Sequence, residues 1–424
     1  PVRSDVRMSG FASRSTVADA LVWIDANSTA LTATESTNLE EATGRVLAKS
    51  LTAPRNVPEF DRSAMDGYAL HAQETVGAGE YHPVSFRVLG ESLPGRPFSG
   101  TVEPGTAVRT MTGAPIPEGA DAVVPAEFAS ERDGTVEVTA AVAVDKHIGR
   151  CGEDIRVGAT VLPAGRRLRP QDVAVAASLG TPDLEVLKRP QVRIVITGNE
   201  LVIPGHQKGR HQIYDANSYL LRGLITRDGG DLESIRRCED DRRSIQAAFA
   251  EKGADVILVS GGTSVGQEDF VPGLVQELGE LAIHGIAMRP SSPTGLGKID
   301  GGLVCLLPGN PVSCLCAYDF FAGRAIRRLA GRSSDWPYRS LTAPLRRKVA
   351  SAIGRVDYCR VKVSAEGVEP LAISGASILS STTRADGFLI VDAESEGASP
   401  GTDVQVYLYD HEDRRPPDSK VLGT

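Results

Sequence analysis

The sequence predicts a multidomain chain of α/β plus β class, with a doubly wound parallel sheet set between β-rich segments. Three observations carry this. The 424 residues suffice for about three domains. Between 190 and 330, short apolar runs alternate with helical patterns, as βαβ units do. From 54 to 144 and from 335 to 424, short apolar runs alternate with proline and glycine, which reads as antiparallel strands and turns.

Taken in order, residues 1–15 are small and polar and read as a disordered leader. "STVADALVWIDANS" predicts a helix with a Ser15/Thr16 cap and apolar positions Val17, Ala20, Leu21 and Ile24 at helical spacing. "NLEEATGRVLA" predicts a second, weakened at Gly44. "PVSFRVLG", "GTAVRTMTGAPIP", "DAVVPAEFA" and "GTVEVTAAVAV" supply strands of a small β-domain. Residues 145–188 are mixed, and end in a helix that opens at Pro170 and closes at Gly180. In the α/β segment the strands are 192–196, 232–237, 255–259, 281–288 and 303–307. Its helices are 217–228, 241–252, 270–278 and 312–329.

Composition narrows the function classes. Hydrophobic residues make up 41% and charged residues 24%, as in ordinary globular proteins. A net charge of −8, from 46 basic and 54 acidic residues, argues against nucleic acid as a partner. No apolar run is long enough for a membrane span. Cys151, Cys238, Cys305, Cys314, Cys316 and Cys359 form no C-x-x-C pair and lie at no zinc-ligand spacing from a histidine, so reduced, mostly buried thiols are expected in a cytoplasmic protein. The seven histidines are assigned to surface or core.

Three strand ends carry unusual loops: "TGNEL" with Glu200, "SGGTSVGQED", and "PGNPVS". Parallel strands deliver such loops to one edge, where ligands bind. In the middle loop Gly261, Gly262 and Gly266 free the backbone to approach a ligand, and Thr263 and Ser264 add hydroxyls. Neither a Walker lysine nor G-x-G-x-x-G is present. The residues alone leave two readings open, a ligand loop or a tight strand-to-helix turn capped by Asp269. In the third loop Pro308, Gly309, Asn310 and Pro311 make a rigid helix entry suited to anions. Glu200, Asp240 and Asp269 are acids near strand ends. They could hold Mg²⁺ on a phosphorylated substrate, although spacing alone favours plain capping by Asp240 or Asp241. Dense polar turns also surround Asp61–Asp66 and Thr112.

"FDRSAMDGYA", "MTGAPIPEGADAVV", "GEDIRVGATVLPAG", "TGNEL", "SGGTSVGQED" and "LLPGNPVS" occur in this order. Together they resemble the MoeA family of molybdopterin molybdenumtransferases, which includes the gephyrin E domain. The resemblance implies insertion of molybdate into adenylylated molybdopterin with release of AMP, assisted by Mg²⁺. It implies four domains: an elongated linking and dimerisation domain (15–57 with 145–188), a β-rich inserted domain (58–144), an α/β molybdopterin-binding domain (189–331) and a C-terminal β-barrel-like domain (332–424). It implies an elongated homodimer, with each active site shared between the third domain of one subunit and the second of the other, and contacts with other cofactor-biosynthesis proteins. Carried over motif by motif, Asp66, Glu200, Asp240 and Asp269 are catalytic candidates, with Glu200 and Asp269 on the metal. Thr112, Asp154, Gly261, Gly262, Thr263, Ser264, Pro308, Gly309, Asn310 and Pro311 are cofactor-binding. "GRVDYCR" and "SGAS" suggest that Arg360 and Ser377 help hold the oxyanion.

Two departures stand out. Asn199 replaces the aspartate of the family's T-G-D-E-L. The family's K-P-G-K-P is "RPSSP" at 289–293, so Arg289 keeps one cation and Ser292 replaces a lysine, both being expected among the cofactor-binding residues. Serine offers a phosphate or molybdate only a neutral hydrogen bond. A second reading therefore stands beside the enzyme, a MoeA-like paralogue that keeps the pocket as a molybdopterin-binding or scaffold protein. A third, the related adenylyltransferase, shares the α/β domain but not the flanking β-domains.

Overall fold

The computed structural model describes residues 14–263, 270–372 and 375–409. The chain divides into two compact units, Ser36–Val186 and Pro1–Glu35 with Leu187–Thr424.

The second of these contains the expected α/β body. Its sheet strands are β1 (Gln191–Thr197), β2 (Asp231–Cys238), β3 (Val256–Ser260), β4 (Gly279–His284), β5 (Gly295–Ile299) and β6 (Gly302–Leu307), in the spatial order β2-β1-β3-β6-β5-β4. The first four in that order are parallel. β5 runs antiparallel to both of its neighbours, β6 and β4, which corrects the expectation of a wholly parallel sheet. β5, "GLGKI", was not foreseen because it is glycine-rich where strands usually are not. The glycines fit a tight site: a Cβ on Gly297 would lie 2.2 Å from the Glu280 carbonyl oxygen. The 281–288 run also divides, since Met288–Arg289 leaves this sheet to pair with 356–357.

Period-two alternation puts each strand's apolar residues on two faces. Val192, Ile194, Ile196, Leu258 and Cys305 face α2 (Asn217–Asp228) and the helical run of Pro311–Ala317, the π turn Tyr318–Ala322 and Gly323–Leu329. Val195, Ile257, Val259 and Leu306 face Arg242–Ala250 and Phe270–Leu278. The helix α1 (Val17–Asn27) is capped by Thr16 and Asp19 in a capping box. Expected in the linking domain, it buries Val17, Ala20 and Ile24 in the α/β core.

C-terminal to the α/β body, strands 339–344, 356–364, 387–391 and 403–408 form an antiparallel sheet, with 367–372 paired to 356–364. Its inner end is aromatic. Phe388 stacks on Tyr358 at 4.3 Å, and Trp336 meets both Phe388 and Tyr407. Arg227 joins Asp228, Asp319 and Tyr338 in a buried network beneath it.

In the Ser36–Val186 unit, strands 122–125, 67–70, 106–110, 84–92, 135–138 and 129–132 lie in that order in one sheet. Tyr68, Leu70, Phe86, Val124 and Val136 fill its core. A separate cluster gathers Leu47, Leu162, Leu168 and Ala176 around the helix Pro170–Ser178. The helix expected over 38–48 is only Leu39–Ala42, because Gly44 turns the chain at φ +81°.

One buried cation orders the α/β body. Arg193 is fully buried on β1. Its guanidinium donates to Glu233 at 2.9 Å and to the carbonyls of Ala248, Glu251 and Lys252 at 3.2, 2.6 and 3.1 Å. These are orphan acceptors at the end of Arg242–Ala250. Arg193→Ala is expected to cost about 3–5 kcal/mol, read as a lowered midpoint in urea unfolding.

Candidate functional site

β1, β3 and β6 are sheet neighbours with a common direction, so the loops after Thr197, Ser260 and Leu307 leave on one edge. They line a cleft of about 970 Å³. That lies at the upper end for small-molecule sites. Of the residues singled out in the sequence, Glu200, Asp240, Gly261, Gly262, Thr263, Pro308, Gly309, Asn310, Pro311 and Ser377 line it. Ser264 and Asp269 lie outside the described residues.

The loops meet closely because glycines permit it. Gly261 sits at φ +103°, and a Cβ there would lie 2.3 Å from the Thr197 carbonyl oxygen. The position of a Cβ on Gly309 would be 3.7 Å from the Gly261 Cα. Asn217, at the start of α2, joins the loops by donating to Ser260 Oγ at 2.9 Å and to the Gly309 carbonyl at 2.7 Å. Half-buried His284 contacts the Thr263 carbonyl through Nε2 at 3.0 Å, a positioning role that an assignment to surface or core had not foreseen.

Two polar atoms of the lining are buried without a hydrogen-bond partner: Thr197 Oγ1 and Asn217 Oδ1. Buried polar atoms are normally paired, so these are available to a bound ligand. The sequence reading missed Thr197, Asp215 and Asn217. "YDAN" ahead of a helix was the available signal, since an Asx residue at a helix start needs a partner. Asp215 caps α2 through Ser218 and pairs with Arg237 at 3.1 Å.

The two acids at 240–241 part company. Asp241 is the N-cap, accepting from the Arg243 and Ser244 amides at 2.9 Å. Asp240 is thereby left to the cleft. There it accepts from the Asn199 amide at 3.1 Å, while Asn199 Oδ1 accepts from the Asp240 amide at 3.1 Å. Asn199 is thus a neutral clasp between the two acidic loops. Glu200 folds back over Gly198. Mg²⁺ is commonly held by one or two carboxylates with substrate phosphates and water. Glu200 and Asp240 on one lining fit that donor set, and among the described residues no group of three potential ligands forms an all-protein cage.

The 289–293 loop lies behind this lining, which it reaches through Pro293. The Arg289 guanidinium is paired with buried Asp357 at 2.5 Å, where Ser351 and Arg355 also donate. Ser292 Oγ is buried without a hydrogen-bond partner. Arg360 is fully buried on the 356–364 strand. Arg289, Ser292 and Arg360 are therefore not on the cleft wall, whereas Ser377 is.

The Ser36–Val186 unit carries the remaining candidates. Asp66 accepts from the Thr112 amide at 2.7 Å and from its hydroxyl at 2.8 Å. These bonds, the amide first, hold its carboxyl below the usual value of 3.8. Asp154 lies in the segment whose backbone bonds Val57. Cys238, Cys305, Cys314, Cys316 and Cys359 are buried and Cys151 is exposed. Burial pushes the Cys305 and Cys314 thiols up to about 12, which removes them as nucleophiles.

Three family signatures match in chain order: the MoeA N-terminal region (domain I and II) over residues 15–180, a probable molybdopterin-binding domain over 193–328, and the MoeA C-terminal region (domain IV) over 342–409. The chain is 32% identical to the molybdopterin molybdenumtransferase of Haemophilus influenzae, over 90% of this chain and 95% of that one. It is 37% identical to molybdopterin molybdenumtransferase 2 of Mycobacterium tuberculosis, over 72% and 78%. The crystal structure of the molybdopterin biosynthesis MoeA protein from Pyrococcus horikosii superposes with a TM-score of 0.81 at 30% identity, covering 94% of this chain and all of that one. No helix of the described residues is long and apolar enough to cross a membrane.

Two outcomes follow from the geometry. Gly261→Ala should lose about 1–3 kcal/mol of stability and deform the cleft, seen as a lower unfolding midpoint with weakened pterin binding. In Thr112→Val the Asp66 pKa should rise part of the way towards 3.8, because the hydroxyl bond is lost and the amide bond stays. A ¹³C NMR titration reads this directly. The native bonds favour folding above pH 3.8, and that contribution is lost as pH falls through the depressed pKa.

Proposed function

The chain belongs to the MoeA family of molybdopterin molybdenumtransferases, and from that premise we propose that it inserts molybdate into adenylylated molybdopterin and releases AMP. The reaction is a step of molybdenum cofactor biosynthesis. The observation that carries this reading is the convergence of three strand-tip loops on a cleft whose buried Thr197 Oγ1 and Asn217 Oδ1 lack partners.

In this reading Thr197 and Asn217 orient the pterin, and the glycine backbone at 261–262 lies against it. The amides at the start of the 311–329 helical run face phosphate. Ser377 offers its hydroxyl to the incoming oxyanion. Glu200 and Asp240, with Asp269 by resemblance, would hold Mg²⁺, which when bound neutralises phosphate charge and favours departure of AMP. The same carboxylates can accept a proton from the attacking oxygen nucleophile. The functional form is a cytoplasmic homodimer in which Asp66, Thr112 and Asp154 serve a second copy's cleft. The family resemblance supports that assignment, as it supports contacts with other cofactor-biosynthesis proteins.

Ser292 favours a second reading. A buried, unpartnered hydroxyl stands where the family's lysine would be, so a paralogue that binds molybdopterin without turnover fits that position. Incubation of the purified protein with adenylylated molybdopterin, molybdate and Mg²⁺ separates the two. The enzyme releases AMP and yields loaded cofactor, and Glu200→Gln or Asp240→Asn lowers kcat about 100-fold in a folded protein. Binding without AMP release selects the scaffold, and absence of binding rejects both.

A further inference from the structure

The cleft has a charge problem. Its described lining holds Glu200, Asp215 and Asp240 and no lysine or arginine. In sequence the 264–269 loop adds Glu268 and Asp269 and no basic residue. Arg237 is tied to Asp215, and Arg289 to Asp357. A substrate bearing phosphates, which is what the proposed function requires, needs cations at this mouth.

Residues 203–212, "IPGHQKGRHQ", contain His206, Lys208, Arg210 and His211 and no acid. The stretch is an arm rooted in the cleft wall. Leu201 pairs with Ile213 and Val202 with Tyr214, while Leu201, Ile213 and Tyr214 line the cleft. The Ile213 amide donates to the carbonyl of Glu200 at 2.8 Å, fixing the root beside that acid. The arm also has its own internal bonds. Tyr214 Oη donates to the His206 carbonyl at 3.2 Å, and the Gly209 amide donates to Gln212 Oε1 at 2.8 Å. Turns close at Ile203–His206 and Gly209–Gln212.

The arm therefore holds Lys208 and Arg210 at its exposed tip. Among the described residues neither forms an ion pair or a side-chain hydrogen bond. Arg210 is three residues from Ile213, at most about 11 Å of backbone. Unpaired exposed cations contribute little to folding, so their value here is to an anion outside the chain.

We propose that Lys208 and Arg210 on the 203–212 arm are the cationic contacts for the phosphates of the adenylylated pterin. They are binding and positioning residues and transfer no proton. Their charge raises capture of a polyanion and makes it salt-dependent, as cations at the rim of a binding site do.

The test is steady-state AMP release from adenylylated molybdopterin at low and high salt by the full-length protein. The variants are Lys208→Ala/Arg210→Ala, Lys208→Glu/Arg210→Glu, Arg243→Ala as the exposed cation nearest in sequence to the Asp240 loop that is not in an ion pair among the described residues, and Lys348→Ala as an exposed cation outside the cleft lining. For the double alanine variant KM should rise about tenfold while kcat changes less than about twofold, and the charge reversal should exceed this. The salt dependence of KM should flatten in the double alanine variant. Unchanged melting temperatures exclude misfolding. Lys208→Arg/Arg210→Lys, which keeps both charges, should restore most of the affinity. A wild-type KM and salt slope in both double variants overturns the inference, as does a tenfold effect confined to Arg243→Ala. A wild-type protein that binds substrate and releases no AMP defeats the functional reading instead, and the arm is then judged by the dissociation constant for the same ligand.

Discussion

The approach of Gly261 to the end of β1 is the constraint on which the site depends. The backbone after β3 turns at positive φ against the Thr197 carbonyl, leaving no room for a side chain. That closeness packs the second loop over Thr197, brings the third loop against the second, and lets a single asparagine span both. Pre-formed geometry of this kind reduces the ordering cost of binding a large ligand.

Electrostatics divide the cleft into parts. Gly261, Gly262, Thr263, Gly309 and Asn310 give it a neutral stretch of lining. Its acids stand on the loops after β1 and β2, where the Asn199–Asp240 clasp holds the two loops together without adding charge. An aspartate at 199 would set another carboxylate beside Asp240, and the two like charges would repel. The asparagine here gives up one negative charge and keeps the clasp.

Buried polar groups fix the frame around the site. Arg193 ends one helix against β1, and the Arg227–Asp228–Asp319–Tyr338 network ties α2 and the 311–329 run to the C-terminal sheet. Asp319 shows the balance of forces. Burial raises its pKa, while Arg227 and Tyr338 oppose this through charge and hydrogen bonds. Such networks are costly to break, because removing one member leaves another buried without a partner.

The sequence by itself determined the alternation of strands and helices from 190 to 330, the three loops at strand ends, and the six motifs that place the chain in its family. These are local properties, read from periodicity, glycine and proline. It could not show that β5 is a strand, because "GLGKI" lacks the usual residues and its glycines answer to neighbours on other strands. Nor could it separate Asp240 from Asp241, two identical side chains of which only one reaches the helix amides. "YDAN" could mark Asn217 as a helix-start residue but could not name its partners, which lie 43 and 92 residues away. Contacts at such separations exist only after the sheet has assembled. The tertiary structure therefore decided which acid caps the helix, which one lines the cleft, and which buried polar atoms lack a partner.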